Sequence, residues 1–240
     1  MTDRRKYTTL LLDADGTILD FEKANLFAFS RMMSDMGLER ENTKENYDLF
    51  CRINKRRWAE LETGTTDGKS LPEKIFGDFF SSIREENTDC HAADGRCLFY
   101  LSQAGFLLPG ALDFVRKVSL ALSVIVVTNG HDAVQKSRLK RSGVMPYLSG
   151  VYTSEQIGFP KPRAEFFEYI FSDRQNLKKE ETILLGDSIS SDYLGAKNAG
   201  VSACLLNLGA VCLPEGCDIP TVTSYESFCK RYLFLQDDIL

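Results

Sequence analysis

Apolar runs that stop abruptly at small or acidic residues recur along the chain. They are residues 7–12 before Asp13, 123–127 before Thr128, 182–185 before Gly186 and Asp187, and 203–206 after these. Their apolar character is continuous rather than alternating, which predicts strands covered on both faces, as in a parallel sheet. Helical spacing falls between them: Leu112, Val115 and Val118; residues 133–141, closed by Gly143; and residues 162–171. Strand and helix alternate, so the expected fold is α/β, with a doubly wound, Rossmann-like core over residues 1–20 and 105–240. The rhythm breaks over residues 21–104. There Leu26, Phe29, Met33 and Met36 recur at helical spacing, as do Tyr47, Phe50, Asn54, Trp58 and Leu61, and residues 72–84 and 92–104 also read as helices. This predicts an all-helical cap subdomain inserted after the first strand. Ligands bind beyond the carboxyl ends of strands in open α/β sheets, so such an insertion is placed to act as a lid.

Composition narrows the function classes. The chain has 240 residues, 43% hydrophobic and 26% charged, which suits a globular protein with one core domain and a smaller partner. A net charge of −5 argues against a nucleic-acid polymer as partner, which needs clustered Lys and Arg. Lys55, Arg56 and Arg57 form a small basic patch, read as a solvated face. Seven cysteines without a C-x-x-C pair argue against a disulfide framework or structural zinc and for a reducing cytoplasm. No stretch approaches the roughly 18 apolar residues of a membrane span, so no membrane partner is expected.

Four polar clusters sit where the apolar runs end. In Asp13-Ala14-Asp15-Gly16-Thr17, alternation along a strand lets Asp13 and Asp15 face one site. Two carboxylates that close repel unless a cation relieves them, and Mg2+ prefers such hard oxygen ligands. A calcium loop is excluded, because its twelfth position holds Ala24 instead of glutamate. Thr128-Asn129-Gly130 offers a hydroxyl, an amide and backbone N–H groups to phosphate oxygens. Lys161 stands between Pro160 and Pro162, which restrict where its ammonium points. Gly186-Asp187-Ser188, with Asp192 at the expected start of a helix, adds carboxylates for the cation. Any one cluster is commonplace. Their order, each after a buried strand, points to a catalytic site.

The set resembles the haloacid dehalogenase (HAD) superfamily of aspartate-nucleophile phosphohydrolases. The resemblance lies in DADGT (13–17), TNG (128–130), the lysine of GFPKP (158–162) and GDSISSDYLGAKNAG (186–200), and the helical insertion is similar to that superfamily's first-type cap. It implies that Asp13 is the nucleophile and Asp15 the general acid–base, with Thr128 and Lys161 holding the phosphoryl group. It further implies that Asp13, the backbone carbonyl of Asp15, and Asp187 ligate Mg2+, while Asp192 supports that shell or orients Lys161. Superfamily dehalogenases lack the aspartate two residues after the nucleophile, so the resemblance implies a phosphatase.

Within the superfamily, INKRRW (53–58), residues 61–64, Phe21 and KPRAEFFEY (161–169) resemble the pyrimidine 5′-nucleotidase branch, which dephosphorylates nucleoside monophosphates. Gly16 departs from that branch, where an acidic residue is usual. Asn54 and Trp58 lie i, i+4 on one helical face, where an amide could read a pyrimidine edge and an indole stack on its ring. Equally, Trp58 could pack the cap core with Tyr47, Phe50 and Leu61. Alternatives are a phosphatase or mutase of small sugar phosphates, a receiver-like phosphoacceptor signalling protein, and a non-catalytic metal-binding module. Residues 64–70 (GTTDGKS) only approach a phosphate-binding loop, His91 and His131 read as surface or capping residues, and Asp237-Asp238 as a frayed tail.

Overall fold

A computed structural model describes residues 7–209 and 218–233; Cys212, Cys217 and the Asp237-Asp238 pair lie outside the described residues. The chain divides into two compact units, Met1–Asp20 with Phe106–Leu240, and Phe21–Gly105.

Among the described residues, the first unit is built on a six-stranded sheet of order β3-β2-β1-β4-β5-β6, parallel at every pairing. The strands are β1 (Thr9–Leu12), β2 (Ser123–Thr128), β3 (Gly150–Thr153), β4 (Thr182–Gly186), β5 (Ser202–Leu206) and β6 (Thr221–Val222). Both sheet faces are covered. Leu10, Leu12, Val124, Val126, Ile183 and Leu185 enter one core, while Leu11, Ile125, Val127 and Leu184 enter the other. This burial on two sides is what the unbroken apolar runs encode. The order reverses between β1 and β4, which makes the switch point where a doubly wound sheet opens a crevice. Register then aligns the strand ends. Leu12 pairs with Val126 on one side and Leu185 on the other, and the Asp13 N–H continues the ladder to the Leu185 carbonyl at 3.0 Å.

Among the described residues, six α-helices belong to this unit: α5 (Ala111–Ser119), α6 (Asp132–Arg141), α7 (Ser154–Ile157), α8 (Ala164–Asp173), α9 (Leu194–Asn198) and α10 (Tyr225–Tyr232). They follow α1 (Phe21–Asp35), α2 (Lys44–Glu62), α3 (Leu71–Ser82) and α4 (Cys90–Gln103) of the second unit. Among the described residues that unit contains no strand. Its helix starts are capped from the sequence: Thr43 accepts from the Asn46 N–H and Asp89 from those of His91 and Ala92. Asp67 accepts from the N–H groups of Lys69 and Ser70, which makes residues 64–70 a turn leading into α3. Arg56 and Arg57 both reach Asp78 on α3 at 2.6 Å, so two of the three cations expected on a solvated face tie α2 to α3.

Aromatic packing holds the helical unit together. Phe79 is fully buried, and its ring lies 5.4–5.6 Å from those of Phe29, Phe50 and Phe80. Removing it leaves a void that three rigid rings cannot fill. Phe79→Ala is expected to cost about 3–5 kcal/mol of that unit's stability, read as a lowered urea midpoint.

Candidate active site

The carboxyl ends of β1, β2 and β4 bring the chemistry-bearing residues together. Lys161 is 1% exposed, and its ammonium donates to Asp13 Oδ1 at 2.7 Å, Asp192 Oδ1 at 2.6 Å and the Val127 carbonyl at 2.9 Å. Three donors meet three acceptors, so the buried cation is fully satisfied. Burial alone would push the Lys161 pKa down, but Asp13 and Asp192 outweigh it and leave the ammonium firmly charged.

Asn129 fixes where that ammonium arrives. Its side chain accepts from the Lys161 N–H at 2.8 Å and donates to the Lys161 carbonyl at 2.9 Å. An amide expected to face phosphate is thus engaged with the lysine's own backbone, while Thr128, 2% exposed, stands at the end of β2.

On the β4 side, Asp187 accepts from the Thr17 hydroxyl at 3.2 Å, and Asp192 Oδ2 accepts from the Ser188 N–H at 3.1 Å. Asp192 lies in a π-turn, Ile189–Tyr193, ahead of α9, so its helical placement holds with a wider first turn. Two close approaches depend on glycine. A Cβ on Gly186 would stand 2.3 Å from Asp192 Oδ2, and one on Gly16 would stand 2.4 Å from Asp187 Oδ2. Gly16 also has φ +81°, a conformation that side chains disfavour.

Oxygen atoms of Asp13, Asp187 and Asp192 lie within 4.8 Å of one another. Three carboxylates against one ammonium leave the cluster two charges negative if all are ionised. The electrostatics reflect this. Burial, then Asp192 and Asp187, hold the Asp13 carboxyl well above its usual range, against the pull of Lys161. Burial and Asp192 push Asp187 up to about 6. An all-oxygen donor set with this deficit fits a hard divalent cation such as Mg2+.

The Asp15 side chain lies outside that triad. Its Oδ1 accepts from Arg138 Nη1 at 2.6 Å and its Oδ2 from Gln135 Nε2 at 2.5 Å, both donors on α6. Neither residue stood out in the sequence, where a Gln and an Arg in a charged helix read as solvent-facing. Their burial is the only signal. Asn54 and Trp58 belong to the helical unit on α2, where Trp58 is partly buried against its core, in line with the packing alternative. His131 precedes α6 with Nδ1 3.4 Å from Glu155, and His91 lies at the exposed start of α4.

The family described as haloacid dehalogenase-like hydrolase matches residues 7–200. YfnB of Bacillus subtilis, named as a HAD-hydrolase, is 32% identical over 208 residues, 85% of each chain. The pyrimidine 5′-nucleotidase PynA of Streptococcus pneumoniae is 33% identical over 202 residues, 84% of each, and the pyrimidine 5′-nucleotidase YjjG of Escherichia coli 27% over 211 residues, 88% of this chain and 91% of its own. The crystal structure of magnesium-bound YfnB superposes with a TM-score of 0.87 at 27% identity, covering 94% of this chain and 98% of that one.

The Asp187 shift has a sign that solution measurements can read. A carboxyl whose native pKa is raised contributes stability while it stays protonated and loses it as pH rises through about 6. The stability gained by Asp187→Asn over metal-free wild type is expected to be smallest near pH ~4, to grow as pH rises toward about 6 and to level off above that value. Urea midpoints across that range check it.

Proposed function

The chain belongs to the haloacid dehalogenase-like hydrolases and is an enzyme of their phosphatase kind, and we propose that it is a Mg2+-dependent phosphomonoesterase. Its reaction is proposed to run through an aspartyl phosphate on Asp13, with pyrimidine nucleoside 5′-monophosphates as substrates. One observation carries the reading: Lys161, buried between Asp13 and Asp192, at strand ends where Asp187 also stands.

In the proposed mechanism an Asp13 oxygen attacks phosphorus, which splits hydrolysis into two easier steps. Lys161 keeps that carboxylate oriented and balances part of its charge. Thr128 and the Asn129 backbone N–H hold phosphoryl oxygens, so positioning and electrostatics supply most of the acceleration. Asp15 gives a proton to the leaving alkoxide and then takes one from the attacking water. Asp13, Asp187 and the Asp15 carbonyl would hold Mg2+, with Asp192 behind them through its bond to Lys161. When bound, the ion would supply positive charge against the phosphoryl oxygens.

The substrate class rests on the two nucleotidases that are 33% and 27% identical to this chain across most of its length. In the helical unit, Asn54, together with whatever face of Trp58 its core packing leaves outward, is the proposed selector of the base.

Two measurements test these assignments. Asp13→Asn is expected to lower turnover by about 10³-fold or more with the fold intact by circular dichroism; near-normal turnover would remove the mechanism. Across a panel of esters, the uridine, deoxyuridine and thymidine 5′-monophosphates should give the highest kcat/KM, and a preference for hexose phosphates would overturn the nucleotidase assignment alone.

A further inference from the structure

Helix α6 buries an unusual set of side chains. Its buried residues are Gln135, Arg138 and Leu139, so two of the three are polar on a helix that packs beside a sheet. Such helices ordinarily bury an apolar stripe, and a buried guanidinium is costly unless its partners are well placed. Both polar residues are directed at one carboxylate. Arg138, 1% exposed, gives Nη1 to Asp15 Oδ1 at 2.6 Å. Gln135, 2% exposed, gives Nε2 to Asp15 Oδ2 at 2.5 Å and to Thr128 Oγ1 at 3.2 Å. Arg138 Nη1 also lies 3.4 Å from Gln135 Oε1, which ties the two donors to each other. Gly130 leaves room for this arrangement, since a Cβ there would stand 2.3 Å from Gln135 Nε2.

We propose that Arg138 and Gln135 are positioning residues that hold the Asp15 carboxyl group beside Thr128, in the orientation from which it exchanges a proton with the leaving oxygen. Gln135 is the central link, because one amide nitrogen sets both the phosphate-binding hydroxyl and the acid–base group. A carboxyl fixed through both oxygens to a helix cannot rotate about its terminal bond, so its place relative to the phosphoryl site follows the helix. The inference rests on the phosphatase reading above, in which Asp15 is the acid–base. In the first half-reaction an Asp13 oxygen bonds phosphorus, and the ester P–O bond breaks with its electron pair on the leaving oxygen. That oxygen takes the Asp15 proton. In the second half-reaction a water oxygen bonds phosphorus and passes a proton to Asp15, while the acyl phosphate P–O bond breaks and returns its pair to Asp13.

A residue that only supported the fold would lower the hydrolysis of every ester alike. A residue that sets proton delivery matters where the leaving group needs a proton. The test therefore compares kcat/KM on uridine 5′-monophosphate, whose leaving group is an alkoxide, with that on p-nitrophenyl phosphate, whose phenolate departs without one. Gln135→Met and Arg138→Met are expected to lose about 10- to 100-fold on the nucleotide, a part of the usual general-acid contribution, and only a few-fold on the aryl ester. Asp15→Asn should show the same split more strongly, and Arg138→Lys should recover part of the loss. Should Arg138→Met fail to fold, Gln135→Met keeps the test, because it leaves the Arg138–Asp15 pair in place. Equal losses on both esters, or no loss on the nucleotide, would overturn the proposal. Wild-type protein that hydrolyses neither ester would instead sink the phosphatase reading, and the proposal with it.

Discussion

A single ammonium stands among two buried carboxylates and a third that is half-buried, and the rest of the core is arranged around that imbalance. Lys161 answers Asp13 and Asp192 directly, at 2.7 and 2.6 Å, but it cannot neutralise Asp187 as well. In a site that excludes most water, the unmatched charge shows as carboxyl groups held above their ordinary range. A divalent cation would reverse that logic, because it supplies the positive charge that the chain itself lacks. The cluster is thus incomplete in charge, in the direction that a divalent cation would satisfy.

Sheet topology is what makes so costly an arrangement possible. β1 lies between β2 and β4, and their in-register ends deliver Asp13, Thr128 and Asp187 to one crevice without long loops. Lys161 comes from outside the strands, so it needs other anchors. Asn129 holds both sides of its peptide, and the Val127 carbonyl takes the third ammonium proton. Gly186 supplies the last condition, the absence of a side chain where the Asp192 carboxylate passes. None of these groups is exchangeable for one of similar polarity, since each is defined by where its atoms lie.

Much of this was legible in the chain. The runs ending at residues 12, 127, 185 and 206 became β1, β2, β4 and β5, because a strand buried on both faces must be apolar throughout. The outermost strands were not legible. β3 (GVYT) and β6 (TV) are short, partly polar and paired on one side only, so they lack that signature. In the site, Asp13, Thr128 and Asp187 stood out because each follows an abrupt end to apolar character, and Lys161 because a proline stands on either side of it. Arg138 and Gln135 did not, since a polar residue buried against a distant carboxylate looks the same in sequence as one facing water. Their contact with Asp15 spans more than a hundred residues and exists only once the sheet is assembled. Asn129 was recognised for its amide, yet the partner of that amide is a backbone 32 residues away.

Beryllium trifluoride binds a nucleophilic carboxylate as an acyl phosphate does, so a crystal structure grown with it and Mg2+ would test the central arrangement most directly. The fluoride adduct is expected on Asp13, with the ion contacting Asp13 and Asp187, and Lys161 still bonded to both Asp13 and Asp192. An adduct on Asp15, or a metal bound away from these carboxylates, would contradict that arrangement.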